Sequence, residues 1–234
     1  MNKSVNLLLA SVVALSSGST IAETGKWYAG IGAGYSFYND WVTEADITGF
    51  NNEFAAGLGA VNFDGAQSAD SEDTAFGYKL FGGYSFYKNF AVELSYIDMG
   101  EVEANSRSSG TFYDAADNSL DGDLYATARA NVDAFTLDIK LDIPITSFAA
   151  LMIKGGAYSA DTELNISAGG SISPENFSSS KSERSTDIHY GLGINFRITD
   201  NIGLRAEWER LDNVEANGGK NDVDLLSAGL VYGF

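Results

Sequence analysis

A single histidine, His189, no cysteine and a large excess of carboxylates bound the chemistry open to this 234-residue chain. A Ser–His–acid centre needs an imidazole held by an acid and touching a nucleophile. Asp187 lies two residues from His189 on the same strand face, and serines abound in the neighbouring loops. The sequence has no His-x-Ser spacing and no second histidine for a zinc site. No phosphate-binding loop occurs either, and a formal charge of −18 repels nucleic acid. These features favour a structural histidine over a general base. No enzyme, no cofactor, no metal and no nucleic-acid partner is expected.

A second set of chemistry-bearing residues emerges once the segments carrying them are read for periodicity. Apolar residues alternate with small or polar ones over 27–37, 76–86, 90–97, 131–143, 148–158, 187–198, 202–210 and 225–234. Period two is the strand signature, and eight such segments predict an antiparallel, all-β chain. In 202–210, for example, Ile202, Leu204, Ala206 and Trp208 oppose Arg205, Glu207 and Glu209. The connections alternate in length. Short turns fall near 88–89, 144–147 and 200–201, and long loops cover about 39–73, 99–128, 159–184 and 212–222. That alternation predicts an eight-stranded up-and-down transmembrane barrel with short periplasmic turns and long external loops.

The competing arrangement is a soluble barrel with its apolar face inward. Here the apolar faces are bulky and unbroken, while the opposite faces are mostly Gly, Ser and Ala. Small residues suit the crowded interior of an eight-stranded barrel and serve poorly on a solvated strand. Aromatic residues gather near strand ends, as membrane interfaces require. Lipid is therefore expected outside. The alternation then turns Lys79, Glu93, Asp138, Lys140, Lys154, Arg197, Arg205, Glu207 and Glu209 inward. Counting back from the turn near 145 sets Asp138 opposite Lys154. The expected arrangement is an ion-pair network that plugs the lumen, since an unpaired charge there is costly. The alternative is a narrow, porin-like ion pathway through the same charges.

Residues 1–22 read as an export signal: Lys3, the apolar run "VNLLLASVVAL" (5–15) and small residues ending at Ala22. The barrel domain is expected over 23–234. The charge imbalance falls in the long loops. Acidic groups at 70–73 and 117–123 could hold Ca²⁺ or Mg²⁺, but they match no EF-hand spacing, and a solvated repulsive surface is the preferred reading. Loop one carries "FNNEFAAGLGAVNF" (50–63), apolar enough to form a short helix or hairpin. Loop three, 168–183, is rich in Ser and Gly.

The segments "FGYKLFGGYSFYKNFAVELSYIDMG" (76–100), "GLGINFRITDNIGLRAEWERL" (191–211) and "DLLSAGLVYGF" (224–234) resemble the small outer-membrane β-barrel family that includes the transmembrane domain of outer-membrane protein A. The resemblance runs over nearly all of the chain beyond the signal. It implies residence in the outer membrane, contact with its lipid and lipopolysaccharide, and insertion by the barrel-assembly machinery. It places the assembly signal on Leu230, Tyr232 and Phe234. No peptidoglycan-binding domain is expected after the barrel, so wall anchoring is not implied. The expected role is non-enzymatic: membrane structure and display of acidic loops, with room for an extracellular partner in adhesion or environmental contact. A narrow channel is the alternative, and a lipid-modifying enzyme the more remote one.

Overall fold

The computed structural model describes residues 25–39, 41–216 and 218–234. The export signal expected at 1–22 lies outside the described residues. The elements in chain order are β1 (Trp27–Tyr38), α1 (Glu44–Gly57), β2 (Asn62–Ser71), β3 (Thr74–Tyr87), β4 (Phe90–Tyr113), β5 (Ser119–Pro144), β6 (Ala149–Gly170), β7 (Phe177–Arg197), β8 (Ile202–Ala216) and β9 (Gly219–Gly233).

Eight strands close a ring in the order β1, β3, β4, β5, β6, β7, β8, β9, every neighbouring pair antiparallel. Closure matters because hydrocarbon supplies no partner for an open strand edge. The final pairing is β9 with β1, where Ile31 faces Leu230 and Ala33 faces Ala228. The backbone N–H of Phe234 donates to the Trp27 carbonyl at 2.9 Å, so the ring is sealed to the last residue.

The outer surface is apolar, as the alternation predicts. On β5, Phe135, Leu137 and Ile139 are each about 60% exposed, while Thr136, Asp138 and Lys140 are buried. The same division holds on β3, where Phe76, Tyr78, Leu80 and Phe86 face out, and on β9, where Leu226, Leu230 and Tyr232 do. Such a belt costs free energy in water and none in lipid.

The long loops differ from their expected form. Most of 99–128 and 159–184 is strand, because β4, β5, β6 and β7 run 24, 26, 22 and 21 residues. Above the membrane they continue as an open sheet, and β2 adds a ninth strand along β4. Only residues 171–176 of the Ser/Gly-rich loop lie between strands. Backbone pairing along these extensions satisfies polar groups that a structureless loop would leave to water.

Loop one takes the helical one of its two expected forms, over 44–57 rather than 50–63, and β2 after it pairs with β4 and not in a hairpin. Helix α1 starts at a capping box: Thr43 Oγ1 accepts from Asp46 N at 3.2 Å, and Asp46 Oδ2 accepts from Thr43 N at 3.0 Å. Ile47, Phe50, Asn51 and Phe54 fall at i, i+3, i+4 and i+7, one face of a helix. That face lies on the external sheet, against Ala104, Ala126, Ala128 and Ala168, whose small side chains let the helix approach. Phe177 of β7 closes one side, with its ring 5.9 Å from Phe50. Asn51 Nδ2 donates to Ser108 Oγ at 3.1 Å.

Candidate functional site

The lumen is built in two layers, and the lower one gathers most of the charges singled out above. Lys79, Glu93, Asp138, Lys140, Lys154, Arg205, Glu207 and Glu209 come from β3, β4, β5, β6 and β8, and none exposes more than 3%. Glu209 sits at the hub. Lys79 Nζ donates to it at 2.7 Å, the Lys154 ammonium lies against it, and His189 Nε2 is 3.3 Å away. Lys79 also donates to Glu207 at 2.6 Å, and Lys154 lies 3.2 Å from Glu207 and 3.6 Å from Glu93. Glu93 takes two bonds from Arg205 Nη1, at 2.9 and 3.1 Å, and one from the Tyr28 hydroxyl at 2.8 Å. The Arg205 plane rests over Phe81, 4.2 Å from the ring centre.

The register differs from the one expected. Asp138 pairs across β5 and β6 with Gly156, and Lys154 stands opposite Lys140, two like charges side by side. Each ammonium turns to a different carboxylate, Lys140 to Asp142 at 2.9 Å and Lys154 to the Glu209 hub. Asp138 instead contacts His189 Nδ1 at 2.7 Å and accepts from Thr136 Oγ1 at 2.8 Å. Arg197 lies at the periplasmic rim, half-buried, with Nη2 2.5 Å from the Ser147 carbonyl of the β5–β6 turn. Its position follows from the end of β7, one residue short of the turn.

Four further participants were not named in the expected network: Tyr28, Asp142, His189 and Asn195. Asn195 bridges Arg205 Nε (2.9 Å) and Asp142 (2.8 Å). The alternation had already set all four on the inward faces of their strands, but not which charges they would meet. Glycines make the room. A Cβ on Gly191 would lie 3.1 Å from Lys154 Cε and 3.2 Å from Glu209 Cγ.

The upper layer is apolar. Ile97, Met99, Val132, Ala134, Tyr158, Leu211, Val214, Val223 and Leu225 fill the bore beneath α1. The inward parity changes here on two strands. β4 slips between Asp98 and Glu101 and β8 between Leu211 and Val214. Gly100, at φ 73°, and Asn213, at φ 57°, supply the left-handed residues of these bulges. Inward residues therefore pass from Ile97 and Met99 to Val102 and Ala104, and from Leu211 to Val214. The ion-pair network expected to plug the lumen therefore occupies only its lower layer, and these slips help to make the upper one apolar.

Both ring nitrogens of His189 face carboxylates inside the plug, and the imidazole is buried. Its acid neighbours are Asp138 and Glu209, while Asp187 accepts from the Ile188 backbone at 2.8 Å. Among the described residues, no group of three or more His, Cys, Asp or Glu is placed to hold a metal. Several external acids are engaged locally. Asp114 accepts from the Asn118 side chain and from the backbone of Asn118 and Ala116, bonds that hold its pKa below the ordinary carboxylate value. Asp161 receives two bonds from Arg184, at 2.7 and 2.8 Å.

A closed antiparallel ring with a lipid-facing apolar belt and a side-chain-filled bore defines an integral outer-membrane β-barrel. The family model for the OmpA-like transmembrane domain matches residues 22–234, and the chain belongs to that family. The protein is thereby placed in the outer membrane. Among solved structures, Ail, the attachment invasion locus protein of Yersinia pestis, is 15% identical over 91% of this chain and 100% of its own, with a TM-score of 0.46. OprG from Pseudomonas aeruginosa is also 15% identical, covering 92% and 99%, with a TM-score of 0.48. The outer-membrane protease OmpT from Escherichia coli is 12% identical, covering 94% and 100%, with a TM-score of 0.43. No curated protein matches the chain.

Proposed function

We propose that this protein is a non-enzymatic, non-conducting barrel that anchors and displays an acidic sheet-and-helix headpiece on the cell surface. The observation that carries this reading is the doubly filled bore. A continuous net of buried ion pairs occupies the lower layer, and packed aliphatic and aromatic side chains occupy the upper one. An ion crossing it would have to displace paired charges and then enter an apolar core. Each step is expensive where no water substitutes. The headpiece supports display. Strand extensions, β2 and the capped helix hold the surface charges on ordered backbone. An extracellular partner of basic character fits such a surface. Contact with lipid and lipopolysaccharide follows from the apolar belt and its aromatic ends. The terminal strand, with Leu230, Tyr232 and Phe234 on its outer face, is the segment offered to the assembly machinery.

Planar-bilayer recording on the refolded protein tests the closed bore. Conductance at the level of bare-membrane leak is expected. Steady openings would favour the ion pathway and refute the plug. A pull-down of intact protein against one lacking 44–57 and 62–71 tests display, since a partner of the headpiece is retained only by the former.

A further inference from the structure

Strand β7 outgrows one of its neighbours. β6 follows it over 177–196, but β8 pairs with it only from His189 to Arg197. Beyond Leu211 the β8–β9 hairpin slips at the Asn213 bulge and folds inward over the bore. Val214 enters the apolar upper layer there, and the Tyr158 hydroxyl donates to the Asp212 carbonyl at 2.7 Å. The upper part of β7 is left as an edge with no strand beside it among the described residues.

Two bonds show which backbone groups meet that edge. Arg197 N donates to the Phe148 carbonyl at 2.8 Å, so the odd-numbered residues of β7 turn their backbone groups toward β6. Ile188 N, of the even-numbered set, donates to the Asp187 carboxylate at 2.8 Å and to no strand. The β6–β7 register is unbroken, so Ser178, Ser180, Ser182, Arg184 and Thr186 present N–H and C=O to the open side, and all five are exposed. Such a row is a template for an added strand.

The edge is self-complementary. A twofold axis at Ser182 pairs that residue with its own copy and Ser180 with Arg184 of the other copy. It sets Lys181 of each copy opposite Glu183 of the other, in non-hydrogen-bonded positions where side chains stand closest. Lys181 and Glu183 already pair along the strand at 2.6 Å, so association closes a square of alternating charge. Arg184 stays with Asp161 of its own sheet. Centring on Ser180 would set Glu183 against Phe177, and centring on Arg184 would set that guanidinium against itself. A lysine guards an edge against pairing, but here a second copy supplies its counter-charge. β2, the other free edge of the sheet, carries Asp64 and Asp70 and no base, so it has no such register.

We infer that β7 is a homotypic docking edge, joining two copies of this chain through an antiparallel strand pair centred on Ser182. Pairing over 178–186 forms about ten backbone hydrogen bonds. β7 descends from Phe177 outside the membrane to Arg197 at the periplasmic rim. Copies in one membrane run β7 the same way, so the antiparallel pair joins copies in two facing membranes. The inference rests on the display reading, which sets this sheet outside the cell.

The test follows self-association of the whole protein in about 150 mM salt, where repulsion between acidic headpieces is screened beyond ~8 Å. Sedimentation in detergent micelles should show a reversible dimer, and vesicles carrying the protein should cluster. Lys181→Glu alone and Glu183→Lys alone should each be monomeric, because like charges then face each other. An equal mixture of the two should associate again, since every charge regains an opposite partner. A short bis-maleimide should link Ser182→Cys to its own copy and fail with Thr186→Cys, which lies opposite Ser178. Monomeric wild type, single charge variants that associate as wild type does, or a mixture that stays monomeric would overturn the proposal. Dimers in micelles without vesicle clustering would overturn the facing-membrane arrangement. The wild-type and Ser182→Cys results decide without the charge variants, should either fold poorly. Labelling of Ser182→Cys on intact cells by a water-soluble maleimide separates the two readings: a labelled but non-associating edge sinks this inference alone, and an unlabelled one sinks display with it.

Discussion

Glu209 is the position where the plug is most exposed to test. Its carboxylate compensates Lys79 at 2.7 Å and the adjoining Lys154, and it faces His189 Nε2 at 3.3 Å. All four side chains are fully shielded from solvent. Glu209→Gln preserves shape and one acceptor oxygen but removes the charge. Lys79 then keeps Glu207 at 2.6 Å, and Lys154 keeps Glu207 at 3.2 Å and the more distant Glu93. Breaking one side of a buried pair costs about 3–5 kcal/mol. The remaining carboxylates place the expected loss at the lower end, about 3 kcal/mol. The assay is reversible unfolding from lipid vesicles in guanidinium, followed by the fluorescence of lipid-facing tryptophan and by gel mobility of unheated samples. The double substitution Lys154→Met with Glu209→Met removes both charges together. It should be less destabilising than Glu209→Met alone, a coupling that a double-mutant cycle reads directly. If Glu209→Gln unfolds with wild-type energetics, or the double variant is simply the sum of the single ones, the ion net does not hold the lumen.

Other expectations follow from separate parts of the molecule. Gly100→Ala places a Cβ at a φ of 73°, 2.3 Å from the Phe76 carbonyl oxygen. The dihedral alone costs about 1–2 kcal/mol, so a lowered unfolding midpoint is expected. Thr43→Ala removes the cap of α1 at about 1 kcal/mol, seen as faster amide exchange over 44–57 with the barrel strands unchanged. The Thr43 bonds hold the Asp46 pKa below its ordinary value. Its contribution is therefore complete above the unfolded value near 3.8 and fades as pH falls through the lower folded one. Amide protection of α1 should decline in that acid window, and Asp46→Asn should abolish the decline. Phe234→Ala is expected to lower insertion in cells while leaving refolding from urea into vesicles nearly intact, as read by heat-shifted gel mobility.

The alternation of side chains was legible because it is local to each strand. The segment 202–210 declares its two faces without reference to any neighbour, and so does 131–143. Register was less legible, since it depends on how many residues each turn consumes. Residues 145–148 set Asp138 against Gly156 rather than Lys154, and that difference decides which carboxylate meets which ammonium. The parity change at Gly100 and at Asp212–Asn213 was hidden for a related reason. A glycine or asparagine in a strand marks either a bulge or a close approach, and only the partner strand distinguishes them. Helix α1 was expected only as a short helix or hairpin over 50–63, and it lies at 44–57; the capping box of Thr43 and Asp46 and the spacing of Ile47, Phe50 and Phe54 are the local signals that went unread. Its resting place on the alanines of β4, β5 and β6 is a long-range contact that no local pattern records.

The absence of native cysteine makes one measurement decisive for the inside-out, closed barrel. Single cysteines at Ala134, Thr136, Leu137 and Ile139 are exposed, in membranes, to a water-soluble and then a lipid-soluble maleimide. Thiols at 137 and 139 should react only with the lipid-soluble reagent, and those at 134 and 136 with neither until the protein unfolds. Reaction of 134 and 136 with the water-soluble reagent would mean an open aqueous bore. Protection of 137 and 139 from both reagents would place those residues in a protein core and contradict the architecture itself.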